Sequence, residues 1–177
     1  GEDRRFFSYF HPALEDEPII FVQVALTNGL GKSIQEIKKP RSEGDKKYDT
    51  ATFYSISNCQ EGLSRVTLGN FWIKRVVYEL QEELPNIKNF GTLSPIVGFR
   101  NWFLTLEESK IKNILGKIPY ESISFLKSKD LKIGDSRIAS NKEAMIKLVA
   151  HYLVNEKNKK LLPANDVCRF HLGNGAI

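Results

Sequence analysis

The 177-residue sequence holds only two cysteines and one methionine, and its longest strongly apolar run is Ile19 to Val22. A bilayer-crossing helix needs about 20 apolar residues, so these residues contain no such span. Cys59 and Cys168 give neither a CxxC pair nor zinc-finger spacing. They read as small buried residues, with a disulfide between them not favoured. No His, Cys, Asp and Glu cluster has metal-ligand spacing. The stretch Phe53 to Val77 holds neither GxGxxG nor the lysine–serine pair of a Walker loop, and no internal repeat appears. Gly1-Glu2-Asp3-Arg4-Arg5 leads directly into a strand-like segment rather than a signal-peptide pattern.

What is present is ordinary for a globular domain: 41% hydrophobic and 27% charged residues, enough for one well-buried core. A net charge of +5 permits nucleic acid, a membrane surface or a polyanionic cofactor as partner. The lysines are spread over Lys38-Lys39, Lys46-Lys47, Lys127–Lys132 and Lys157–Lys160, a distribution that reads as solvated surface rather than a groove-lining stripe.

Aromatic-dense 4–10 and near-continuously apolar 19–26 read as an antiparallel hairpin, the second strand buried on both faces in mid-sheet. Between them, 11–18 is a turn with two prolines and three acids. Ser33 caps a short helix over 34–37, and Lys38 to Thr50 is a charged loop. A strand over 51–57 leads through a polar, glycine-bearing segment into a helix from about Leu68 to Glu83, marked by Leu68, Phe71, Trp72, Val76 and Leu80 at helical spacing. Pro85 ends that helix, and Ile87 to Leu93 is another strand. Pro95 and Gly98 turn the chain before a helical start over 101–106. Amphipathic pieces near 107–115, 121–128 and 141–155 suggest a helical insertion over about 107–162. Residues 163–177 read as entering a new strand and stopping inside it, so the chain reads as a partial domain.

The organising stretch is Phe53 to Val77. Strand, glycine-bearing turn and helix together aim free backbone N–H groups and a helix N-terminus at an anionic ligand. An ordinary strand-to-helix connection has the same pattern, so spacing alone leaves both readings open.

Four blocks, in order, carry a more specific signal: Asp3-Arg4-Arg5 to Leu26-Thr27; Phe53-Tyr54-Ser55-Ile56-Ser57 to Gly69-Asn70-Phe71-Trp72-Ile73-Lys74-Arg75-Val76-Val77; Thr92-Leu93-Ser94-Pro95-Ile96-Val97-Gly98-Phe99; and Phe170-His171-Leu172-Gly173-Asn174-Gly175-Ala176. In these the chain resembles the catalytic domain of the malonyl-CoA decarboxylase family, with the weakest match between about 107 and 160. The resemblance implies an α/β (α+β) fold like that of the acyl-CoA N-acetyltransferase superfamily, a twisted mixed sheet flanked by helices. It implies that 1–177 is part of a catalytic domain, without the family's N-terminal helical domain and last strands. It places the CoA-binding turn on Ser64, Arg65, Val66, Thr67, Leu68, Gly69 and Asn70, the catalytic serine on Ser94 and the catalytic histidine on His171. Ser55 matches a polar position on the strand beside the CoA. Two positions depart from the family pattern: Arg65 where glycine is common, and Val97 where proline is. An arginine there either crowds a phosphate or pairs with one of its oxygens.

The implied reaction releases CO2 from malonyl-CoA and leaves acetyl-CoA. Such a reaction needs groups that stabilise a thioester enolate and an acid to protonate it. His171 would be the proton donor, and Ser94 would hold the malonyl carboxylate or relay the proton. The thioester is its own electron sink, so no metal or further cofactor is expected. Without the resemblance, His171 between Phe170 and Leu172 reads as a packed strand residue, Ser94 as a strand terminator, His11 as a turn residue and His151 as a boundary residue. An acyl-CoA acyltransferase on the same fold is the alternative enzyme, and a CoA- or polyanion-binding module the alternative from another class. The resemblance also implies homo-oligomerisation through regions outside this chain, no nucleic acid, and an intracellular site: cytoplasmic, or mitochondrial or peroxisomal in a eukaryote.

Overall fold

A computed structural model describes residues 2–14, 16–39, 48–63, 69–132 and 134–176, which form two compact units, Gly1–Ser94 and Pro95–Ile177. No helix among the described residues is long and apolar enough to cross a membrane.

The first unit is built on a four-stranded mixed sheet in the order β1 (Arg4–Phe10), β2 (Pro18–Thr27), β3 (Thr50–Asn58) and β4 (Asn89–Thr92). The first three strands are antiparallel, and β4 runs parallel to β3. The interior strand β2 has Ile20, Val22, Val24, Ala25 and Leu26 essentially fully buried. This is why its sequence is apolar on successive residues rather than alternating. Ser33 caps α1 (Ile34–Lys38) by accepting from the Glu36 amide at 3.1 Å.

Helix α2 (Gly69–Glu83) buries Val76 and Leu80 in one core with Val22, Val24, Leu26, Ala51 and Phe53. Each such aliphatic side chain contributes about 1.5–3 kcal/mol on burial. Its far end is tied to β1 by an Arg5–Glu83 ion pair at 2.8 Å. Both partners are partly exposed, so the pair is worth about 1 kcal/mol or less. The hairpin, β3 and α2 are as the sequence predicts; β4 is shorter than the expected 87–93.

The second unit is helical: α3 (Phe99–Thr105), α4 (Glu108–Leu115), a 3₁₀ helix (Tyr120–Lys127), α5 (Ser136–Ser140), α6 (Lys142–Val154) and α7 (Asp166–Gly173). Phe103, Ile111, Leu115, Ile123, Leu126, Ala144 and Leu148 form its core. The three amphipathic pieces expected between 107 and 155 correspond to α4, the 3₁₀ helix and α6. The strand expected over 163–177 is instead the helix α7. Asn165 caps it by accepting from the Cys168 amide at 2.8 Å, and this local closure turns the chain helical where its alternation suggested a strand. Cys59 and Cys168 are both free thiols, Cys59 exposed rather than buried.

Candidate active site

The sheet opens beside Ser55. Across β2–β3, Val24 pairs with Phe53 but Gln23 pairs with Ser55, so Tyr54 is an extra residue. Such a bulge bends its strand and increases the local twist. On the other side of β3, the parallel pairing with β4 ends at Phe53–Thr92, closed by a 2.8 Å bond from the Leu93 amide to the Phe53 carbonyl. From Tyr54 to Ser57, β3 keeps β2 as its neighbour, and no strand of the described residues pairs with it on the β4 side. Burial falls along the same stretch, from fully buried Ala51 to half-buried Ser55 and exposed Ser57 and Asn58. Among the described residues, Ser55 therefore sits where no strand pairs with β3 on its β4 side.

Beyond Asn58, the Cys59 amide donates to the Ile19 carbonyl at 2.9 Å, and Gln60 Nε2 donates to the Pro18 carbonyl and Glu17 Oε2. These bonds hold the start of the connection against β2, and a 3₁₀ turn follows over Glu61–Leu63. Of the sequence-derived CoA turn, Ser64, Arg65, Val66, Thr67 and Leu68 lie outside the described residues. Gly69 and Asn70 open α2, whose first turn carries no acidic side chain. Within its own first turn, the partial positive end of this 15-residue helix thus meets no carboxylate.

Ser94 is exposed two residues beyond the end of β4 and closes the first unit. The Pro95–Gly98 segment after it is firmly held. The Val97 carbonyl accepts two hydrogen bonds, from the Tyr152 hydroxyl at 3.0 Å and from Asn165 Nδ2 at 2.7 Å. Gly98 has φ +81°, and a Cβ built there would lie 2.9 Å from the Tyr152 hydroxyl oxygen. Glycine is what lets the tyrosine reach the carbonyl. The Tyr152 ring is itself packed against Phe99 and Trp102.

His171 lies in the last turn of α7, half-buried, with its ring edge-to-face against Phe170 at 5.2 Å. Two physical effects compete on its charge. The carbonyl end of a helix favours the imidazolium, while burial disfavours it. Burial holds the ring's pKa below the ordinary histidine range. At neutral pH the imidazole rests uncharged.

Sequence reasoning thus placed Ser55 and Ser94 on the elements where they occur, and put His171 on a strand where there is a helix. Tyr152 and Asn165 were missed. For Asn165 a signal existed: Asn165-Asp166 directly before Val167 is a helix-start pattern. Nothing in the sequence marked Tyr152, because its role depends on a contact 55 residues away. Among the described residues, no three His, Cys, Asp or Glu side chains form a group able to hold a metal ion.

Residues 1–177 match the family profile described as the malonyl-CoA decarboxylase C-terminal domain. The mitochondrial malonyl-CoA decarboxylase of Anser anser anser is 36% identical, over 99% of this chain and 39% of that protein. The Rattus norvegicus enzyme of the same name is also 36% identical, over 100% of this chain and 40% of that protein. The crystal structure of malonyl-CoA decarboxylase from Agrobacterium vitis aligns with a TM-score of 0.80 at 37% identity, covering 99% of this chain and 44% of that one. The Cupriavidus metallidurans structure gives a TM-score of 0.76 at 37% identity, covering 99% and 45%. The chain spans about two fifths of the length of these curated relatives.

Proposed function

The chain belongs to the malonyl-CoA decarboxylase family, and from that membership we propose that the protein is a carbon–carbon lyase converting malonyl-CoA to acetyl-CoA and CO2. The single observation that carries this reading is the family match over the whole of residues 1–177. In the reaction the bond between C2 and the carboxylate carbon breaks, and its electron pair moves into the thioester as an enolate. CO2 leaves, and one proton, ultimately from water, is delivered to C2. The thioester accepts the electrons itself, so the residues have two tasks: to stabilise the enolate oxygen and to supply the proton.

His171 is the proposed proton carrier. A ring that rests neutral at pH 7 offers an N–H to the enolate oxygen, as neutral imidazoles do in other enolising sites. It also releases quickly any proton it takes up, because a lowered pKa makes the imidazolium a stronger acid. Ser94 supplies a hydroxyl to the malonyl end of the substrate. The segment 64–70 is the proposed cradle for the CoA phosphates, with Arg65 pairing with a phosphate oxygen and the amides of Gly69 and Asn70 at the start of α2 adding donors. Ser55 and the β4 side of β3 beside it suit the extended, amide-bearing arm of CoA, which can add hydrogen bonds where a strand would. A homo-oligomeric, intracellular enzyme belongs to the same reading.

The test is CO2 release from malonyl-CoA by the full-length protein, beside His171→Ala and Ser94→Ala. Removing a group that acts in the transition state should lower kcat by about 100-fold or more. CoA binding without CO2 release would replace the lyase with an acyltransferase or a binding module. Full activity in both folded variants would move the site elsewhere.

A further inference from the structure

We propose that Asn165 is a positioning residue for this reaction, fixing the register of the His171 helix against the turn that follows Ser94. The inference rests on the decarboxylase reading for its chemistry, and on the second unit alone for its geometry. Asn165 is 4% exposed, the most buried asparagine among the described residues. Both ends of its amide are used. Oδ1 accepts from the Cys168 amide at 2.8 Å and closes the first turn of α7, while Nδ2 donates to the Val97 carbonyl at 2.7 Å. Nδ2 also lies 3.5 Å from the Tyr152 hydroxyl, which donates to the same carbonyl. The amide can satisfy both a backbone N–H and a backbone C=O in only this orientation.

Capping alone does not account for this residue. Serine, threonine or aspartate would accept from the Cys168 amide equally well, and a cap belongs at the surface, where its second polar end is hydrated. Burying a primary amide is costly unless both ends are paired, and here the pairing is specific to asparagine. Within the second unit the arm from the node to His171 is short and stiff: it is helix, six residues on, or about 9 Å along the axis. A shift at the node is therefore carried along the helix to the imidazole rather than absorbed on the way. Misplacing a reacting group by about 1 Å can cost about 100-fold in rate.

The experiment compares Asn165→Ser with Leu148→Val in the full-length protein. Serine keeps the cap and loses the donor to Val97. The Leu148 variant perturbs the core of the same unit without touching the node. Asn165→Ser should lower kcat for CO2 release by about tenfold or more while the Kd for CoA stays within about twofold. Leu148→Val, at a comparable loss of thermal stability, should keep its kcat. Equal losses of kcat in the two variants, or an unchanged kcat in Asn165→Ser, would overturn the proposal. If the wild type releases no CO2, the decarboxylase reading fails separately, and the positioning claim is then read from the His171 ring by NMR. The ring's titration must move in Asn165→Ser and stay put in Leu148→Val; an unmoved ring sinks the claim. If Asn165→Ser does not fold, Tyr152→Phe substitutes for it. That variant removes one of the two donors on Val97 and leaves the cap, and kcat should drop about threefold or more at constant CoA affinity. No drop overturns the proposal.

Discussion

At Gly98 the backbone has φ +81°, and the space a Cβ would fill is taken by the Tyr152 hydroxyl at 2.9 Å. Both facts act against any other residue. An L-residue in the left-handed region costs about 1–2 kcal/mol, and the tyrosine cannot move aside without releasing the Val97 carbonyl. Gly98→Ala should therefore destabilise the protein by about 2 kcal/mol in urea denaturation. A change inside about 0.5 kcal/mol, the usual range for surface substitutions, would mean the Tyr152 contact is not held in solution. His171 gives a second expectation at this scale. Its pKa is lowered by burial, so the unfolded chain binds more protons than the folded one once the pH drops below the ordinary value of about 6.5. The contribution to stability is full above that value and is lost as the pH falls through it towards the folded pKa. NMR of the ring should show a midpoint below that of a free histidine, and His171→Gln should flatten the loss of stability between about pH 7 and 5.5. A midpoint at or above the free value would show the helix C-terminus outweighing burial.

Among the elements, α2 shows most plainly how sequence periodicity becomes energy. Val76 and Leu80 are fully buried, whereas Tyr78 between them is 59% exposed. Leu80→Ala should cost about 2–5 kcal/mol through lost burial and the cavity left behind, and Tyr78→Ala less than about 0.5 kcal/mol. Similar costs for the two would place the wrong face of the helix on the sheet. That face could be read from the sequence because 3.6-residue periodicity records burial directly. The β1–β2 hairpin was legible for the same reason, in the continuous apolar run of β2. Other features follow from contacts that no local pattern records. The bulge at Tyr54 and the parting of β3 from β4 after Phe53 depend on how two strands pair. The alternation in Val167-Cys168-Arg169-Phe170-His171-Leu172 suits a strand on paper, but the segment is helix, with Asn165 capping its first turn. His171 is thus singled out by resemblance alone, on a helix where a strand is expected; the Asn165 cap has a local sequence signal, but the bonds of Tyr152 and Asn165 to the Val97 carbonyl have none.

For the whole molecule, the question that charge poses is whether +5 makes this a general polyanion binder or whether its basic character is incidental to a CoA site. The two alternatives respond differently to salt. A polyanion held by scattered surface lysines binds by releasing counterions, so its affinity falls linearly with log salt, with a slope set by the number of charges neutralised. The lysines here are distributed over both units, and several are already paired, as Lys110 is with Glu156 at 2.9 Å and Lys112 with Glu108 at 2.6 Å. A CoA site built from backbone amides at the start of α2 and the β4 side of β3 relies on short-range hydrogen bonds, which salt screens far less. Raising salt from about 0.05 to 0.5 M should therefore release the full-length protein from heparin while weakening CoA binding by less than about tenfold. At about 100 times its Kd, CoA should also stabilise the protein by about 2.7 kcal/mol in either buffer. Parallel loss of heparin and CoA binding across that range would leave the proposed CoA site without support and favour the polyanion-binding alternative, because it would mean that both ligands are held by the same diffuse positive field.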